Sequence, residues 1–252
     1  MAGTTLCVLL LTSAIGILAP MNSPTASLAQ AVINLVKAHI RDHGLRAGDE
    51  LPSESVIASK VGVSQTVVRE AFGALWALKL VDVANGRRAR VGTIDGSVIA
   101  MALAHAVDTS QVTVPQIWDA RRAIERRTAQ LAAMRRTSSE AHAILEHARA
   151  MRRAYGDIAA QTEHDIAFHA AIARASRNPV FGLLIASFAE LMRQTCPIGW
   201  RSRRTEPERL AVFHQHERIA QAIEAGDPAE AEAAMDAHFE LSLRALVNSG
   251  FT

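Results

Sequence analysis

Through most of this chain, apolar residues recur at three- and four-residue steps, the period of helices with one buried side. Leu28, Val32, Leu35, Val36, His39 and Ile40 form one such stripe, which predicts a helix over 29–43 stopped by Gly44. Residues 46–49 read as a turn. Two shorter helices are predicted next, over 54–60 and from Ser64 to about 78. Ser53 and Ser64 cap their starts, and Gly62 makes the turn between them. In the second helix Val67, Val68, Ala71, Leu75 and Leu78 mark the buried side. Gln65, Thr66, Arg69 and Gly73 fall on another, polar side. Residues 80–83 and 89–93 read as short strands, joined through Asn85-Gly86, a pair suited to a type I′ turn.

After Asp95-Gly96-Ser97 the pattern predicts helices alone, over 98–107, 113–134, 138–155, 157–175, 178–195, 206–225 and 227–248. Asn178-Pro179 and Asp227-Pro228 each set a capping residue before a proline in the first helical position. Residues 196–205, with Pro197 and Gly199, read as an irregular loop. The expected fold is mainly α. An N-terminal winged helix-turn-helix (28–94) precedes an all-α antiparallel bundle of six or seven helices (95–252).

Charge sharpens this division. The net charge of +2 is unevenly spread: residues 29–93 carry +3, and 96–252 are neutral. A basic small unit beside a neutral bundle is the footprint of one nucleic-acid-binding domain with a partner domain. Cys7 and Cys196 are far apart and lack metal-ligand spacing, which suits a reducing cytoplasm. Residues 6–19 are apolar. However, no Lys or Arg precedes them, and the run is short for a membrane span. Residues 1–27 are therefore read as a disordered or wrongly started extension, with no membrane partner.

A helix-turn-helix presents the N-terminal end of its second helix to the major groove. Here that end carries Ser64, Gln65, Thr66 and Arg69, with Ser53 and Ser55 at the start of the first helix. Arg87, Arg88 and Arg90 lie in the hairpin that follows, placed as a wing to meet phosphates or the minor groove. The run from Leu51 to Val81, LPSESVIASKVGVSQTVVREAFGALWALKLV, followed by a basic hairpin, resembles the DNA-binding domain of the GntR family of bacterial transcription regulators. That resemblance implies double-stranded operator DNA as a partner and a homodimer reading two half-sites. Ser55 and Gln65 stand where the family often has arginine, and Arg88 where it tends to have glycine, so a different operator is expected. Glutamine prefers adenine, whereas arginine prefers guanine.

In the bundle, Asp165 and His169 are one helical turn apart, and His216 and His238 lie on the last two predicted helices. Alone, such residues equally describe exposed polar pairs. Three imidazoles and a carboxylate would also suit a divalent ion such as Zn²⁺, Ni²⁺ or Mn²⁺. DIAFHAAIARASRNPVF and the HERIAQAIEAGDPAEAEAAMDAHF run resemble the FCD ligand-binding domain of the FadR subgroup. The resemblance implies Asp165, His169, His216 and His238 as metal ligands. His214 sits two residues early and faces another way, and Gln215 replaces an acidic residue often seen there. IWDARRAIERRTAQLAA also resembles that domain. It implies Arg121 as a holder of an effector carboxylate, against the plainer reading of a surface pair with Glu125.

The expectation is a cytoplasmic, ligand-responsive transcription regulator and not an enzyme. It would be a repressor released by a small organic acid at a metal-containing pocket. The competing classes are a metal-responsive regulator, a regulator with a purely structural ion, and a metal-dependent hydrolase.

Overall fold

The structure, a computed structural model, describes residues 24–84 and 86–250. These divide into two compact units, the described residues up to Thr93 and those from Ile94 onward. The apolar run at 6–19 lies outside the described residues. Among them, no helix is long and apolar enough to cross a membrane.

The first unit holds α1 (Pro24–Asp42), α2 (Glu54–Val61), α3 (Gln65–Ala77), β1 (Val81–Asp82) and β2 (Arg90–Val91). Residues 24–27, expected to belong to the extension, form the first turn of α1. Ser53 and Ser64 cap α2 and α3, accepting from Val56 N and Val67 N at 3.4 Å each. Gly62 ends α2 with φ at 74°, a left-handed conformation that costs a side chain dearly. Val32, Val36, Leu51, Ile57, Val68, Phe72, Leu75 and Val81 make the core. Two expected core positions are outside it: Leu28 is 43% and Leu78 51% exposed. Leu78 falls at the C-cap of α3, where the backbone leaves the helical path and the period no longer places it inward.

The wing is smaller than its pattern suggested. Only two residues pair on each strand, Val81 with Val91 and Asp82 with Arg90. Residues 49–51, expected to follow a simple turn, supply a third extended segment: Leu51 N donates to Ala89 O, and Val91 N to Asp49 O. That segment takes up backbone groups which a longer two-stranded ladder would have used.

The second unit is helical throughout: α4 (Ser97–Asp108), α5 (Val114–Arg135), α6 (Ser138–Arg153), α7 (Ile158–Ala175), α8 (Pro179–Ser187), α9 (Ala189–Ser202), α10 (Glu206–Ala225) and α11 (Pro228–Val247). Capping boxes start α5, α6 and α10 at Thr113, Thr137 and Thr205. Gly96 precedes α4 where a side chain would strike the backbone of Ser187, 2.5 Å away. Ile144, Phe168, Ile172, Ile219, Ile223 and Met235 fill the centre.

Two expectations fail here. The helix over 178–195 breaks at Phe188 into α8 and α9, and the loop over 196–205 is helical as far as Ser202. Pro197 thus sits inside α9, where it forgoes one backbone hydrogen bond. Packing outweighs that cost. Thr195 and Gly199 are buried, and the Trp200 ring lies 5.5 Å from Phe213 and 6.1 Å from Tyr155.

Candidate functional site

The first candidate surface is the N-terminal end of α3. Gln65, Thr66 and Arg69 are all exposed there, where free backbone N–H groups favour anions. Arg69 Nε donates to Glu54 Oε2 at 2.8 Å, which holds the guanidinium against the start of α2. A shallow groove beside it brings together Ser53, Ser55, Gln65, Arg87 and Arg88. Ser64, Thr66, Arg69 and Arg90 lie outside that groove. Ser53 and Ser64 are occupied as caps, and Ser55 Oγ sits 3.0 Å from Ser53 Oγ. Arg87 pairs with Asp82 at 3.3 Å, and Arg88 with Glu50 at 3.8 Å. Arg90 is tied to the wing's base, donating to Gly48 O at 2.9 Å and Glu50 Oε1 at 2.7 Å.

The second candidate is a partly open cavity of about 80 Å³ in the bundle. Asp165 and His169 reach its wall from α7, His216 from α10 and His238 from α11. One possible ligand atom from each lies within 4.8 Å of the others. Donors about 2.1 Å from a shared ion stand up to about 4.2 Å apart, so a small contraction would gather all four. His214 points outward, with its side chain 61% exposed.

The hydrogen bonds of the cluster are compatible with a cation held by these residues. His216 Nδ1 donates to Val212 O at 2.7 Å, which in the neutral ring leaves a lone pair on Nε2. That Nε2 faces Asp165 Oδ1 at 2.7 Å. Either a proton shared between them or a metal cation would satisfy both atoms. His169 Nδ1 and Nε2 and His238 Nδ1 are buried without a hydrogen-bond partner. His169 Nδ1 touches Glu125 Oε2, although not in hydrogen-bond alignment, and Nε2 lies 3.6 Å from Asp165.

Charges here are strongly coupled. Burial disfavours the ionised form of Asp165, but His169 and His216 outweigh it and hold the carboxyl well below its usual range. Burial likewise opposes charge on His169, but Glu125 and Asp165 prevail and raise it to about 9. His238 is pushed well below the usual imidazole value by burial and then by the other two rings. Burial, with Asp165 beside it, raises the Cys196 thiol. Its Sγ lies 3.6 Å from Asp165 Oδ2.

Arg121 also lines the cavity, but not as a surface pair. It is 2% exposed, and its Nε and Nη2 donate to Glu125 Oε1 at 3.0 and 2.7 Å. Glu125, which sequence reasoning considered only as a surface partner, therefore links Arg121 to His169. A signal for it was present. Val114, Ile117, Trp118, Arg121, Glu125, Thr128 and Ala132 follow the buried period of α5, so both charged residues occupy core positions. Gln161, Cys196 and Arg203 were also missed as lining residues.

A sequence profile of the FCD domain matches residues 116–241. A profile described as bacterial regulatory proteins, gntR family, matches residues 28–91. This chain belongs to the GntR family and carries an FCD domain.

The HTH-type transcriptional regulator LutR of Bacillus subtilis is 34% identical to this GntR protein over 203 residues, covering 79% of this chain and 92% of the relative. The putative L-lactate dehydrogenase operon regulatory protein of Escherichia coli is 31% identical, over 84% of this chain and 83% of the relative. The solved structure of Streptococcus agalactiae GntR shares the fold with a TM-score of 0.65 at 20% identity, over 86% of this chain and 99% of that one. The protein is a DNA-binding transcription regulator with an FCD effector-binding domain, and the family's members are not enzymes. GntR-type winged helices bind operator DNA and generally act as dimers, and FCD domains commonly bind metal.

Proposed function

We propose that this regulator is a repressor released by a short organic acid bound in the bundle cavity, beside a divalent ion held by Asp165, His169, His216 and His238. The carrying observation is the convergence of those four side chains on the wall of one cavity in the bundle. A bound ion would supply a Lewis-acid docking point for a carboxylate oxygen. His216 is already oriented for that task by its bond to Val212 O, and His169 by Glu125. Arg121 also lines the cavity wall, with its charge met by Glu125. A volume of about 80 Å³ suits a small ligand such as a short acid. The operon named for the Escherichia coli relative makes 2-hydroxy acids the first to try.

The winged unit would read DNA through Gln65, Thr66 and Arg69, with Ser53, Ser55, Ser64, Arg87, Arg88 and Arg90 on or beside backbone phosphates. Apolar side chains left outside the bundle, Met101 on α4 at 65% exposure and Val180 on α8 at 57%, support pairing of two copies. The acid releases DNA only to the extent that it binds one arrangement of the dimer better than the other.

The test is a thermal-shift screen of short carboxylic acids on metal-loaded protein, beside the Asp165→Ala/His169→Ala variant. An acid at about 100 times its Kd stabilises the fold by roughly 2.7 kcal/mol. The reading expects one acid to stabilise the wild type alone and to release operator DNA. Metal-dependent DNA binding that no acid alters would replace it with a metal-responsive regulator.

A further inference from the structure

Two arginines line the cavity, Arg121 at 2% exposure and Arg203 at 9%. A buried cation is costly unless a carboxylate stands beside it. Arg121 has its carboxylate within the fold, since Glu125 accepts two of its N–H groups. Its guanidinium also lies 4.5 Å from the Trp118 ring centre and 5.2 Å from that of Phe239.

Arg203, the residue that ends α9, has no such partner. Its Nη1 donates to Gly199 O at 2.6 Å, and among the described residues it forms no ion pair. Nearby in sequence, Glu208 accepts Arg204 N and Thr205 N on its Oε2 at 2.8 and 3.0 Å and forms no ion pair with Arg203. A second group on the cavity wall is also unanswered. Gln161, in the first turn of α7, is 5% exposed, and neither its Oε1 nor its Nε2 has a hydrogen-bond partner. An amide buried in that state loses free energy on both its donor and its acceptor side.

The geometry points to Arg203 and Gln161 as the effector's anchoring pair: Arg203 takes a carboxylate, and Gln161 takes a hydroxyl next to it. The inference rests on the small-acid reading above and narrows it to 2-hydroxy carboxylates. A guanidinium fork matches a carboxylate in shape and charge. A hydroxyl both donates and accepts, so it answers both atoms of the Gln161 amide, whereas a keto oxygen answers one and a methylene neither. Arg121, whose charge is balanced by Glu125, becomes part of the wall and leaves the effector's charge to Arg203.

The test is calorimetric titration of the full-length, metal-loaded protein with L-lactate, D-lactate and propionate, the last lacking only the hydroxyl. Arg203→Gln is expected to weaken lactate and propionate alike, by about 10- to 100-fold. Arg203→Lys, which keeps the charge and loses the fork, should fall between that variant and the wild type. It carries the test if Arg203→Gln does not fold. Gln161→Met should weaken lactate about tenfold and leave propionate within about twofold, erasing the preference for the hydroxyl. Folded Arg203 variants that bind lactate as the wild type does would overturn the assignment, as would a Gln161→Met protein that still prefers lactate. If the wild type itself binds neither lactate nor propionate, the small-acid reading fails and this inference fails with it.

Discussion

The winged unit and the bundle both pair arginine with glutamate, under opposite conditions. Arg69 and Glu54 meet at 2.8 Å with side chains 65% and 31% exposed. Arg121 and Glu125 meet at 2.7 Å with 2% and 1% exposed. In water the first pair is a loose association that a phosphate or base edge can replace at little cost. In the interior the second pair cannot be parted cheaply, because each partner would be left charged and dry. The DNA face thus keeps its charges available, while the cavity commits most of them and leaves Arg203 as an exception.

The largest effect that would break this comparison is at Glu125. Glu125→Gln should cost about 3–5 kcal/mol in chemical denaturation and weaken metal binding about 10- to 100-fold, since Arg121 loses its counter-charge and His169 its orienting carboxylate. A loss under about 1 kcal/mol would mean the pair is not buried as described. Next in size is Arg69→Ala. It should weaken operator binding by about 1–3 kcal/mol in a fluorescence titration while leaving the melting curve in place. Normal affinity would remove Arg69 from the reading face.

A smaller effect tests whether location or burial sets the difference. Glu140 lies in the bundle unit but on its outside, where it accepts from Thr137 N at 2.8 Å and pairs with Arg177 at 2.6 Å. The Thr137 backbone N–H, with Arg177, holds its carboxyl below the usual value of 4.5. A lowered value in the fold means stability that is present above pH 4.5 and lost as pH falls through the folded value. Glu140→Gln should therefore cost about 1 kcal/mol near neutral pH and nothing in strong acid, by urea titration at both. The smallest effect is at Glu54. Glu54→Gln should change stability by less than about 1 kcal/mol, and less still in high salt. A larger loss would show that the exposed pair is more than a loose tether for Arg69.

Much of the fold was legible because its signals are local. A serine before a helix, a glycine after it and a three-four spacing act within a few residues, so α2, α3 and their caps follow from Ser53, Gly62 and Ser64. The four candidate metal-holding residues came from the resemblance to the FCD domain: spacing alone set Asp165 and His169 on one helix turn and left His216 and His238 as ordinary histidines on two other helices. Glu125 was not legible, since its meaning depends on His169, which lies on another helix. The helical course through Pro197 was hidden too, because local preference opposes it and tertiary packing, with Thr195 and Gly199 buried and Trp200 against Phe213 and Tyr155, favours it.

Apart from the break at Phe188 and the course of α9, the amino-acid order by itself therefore determined most of the helices and their capped starts, the polar face of α3 and the excess charge of the first unit. All of these depend on neighbours along the chain. Tertiary structure decided which polar groups end up dry and beside whom. It buried the Arg121–Glu125 pair, gathered three histidines from α7, α10 and α11 around Asp165, and left at the cavity wall a Gln161 amide without a hydrogen-bond partner and an Arg203 that forms no ion pair. The physical reason is that burial and pairing are set by residues far apart in sequence, and a buried charge takes its value from those distant neighbours.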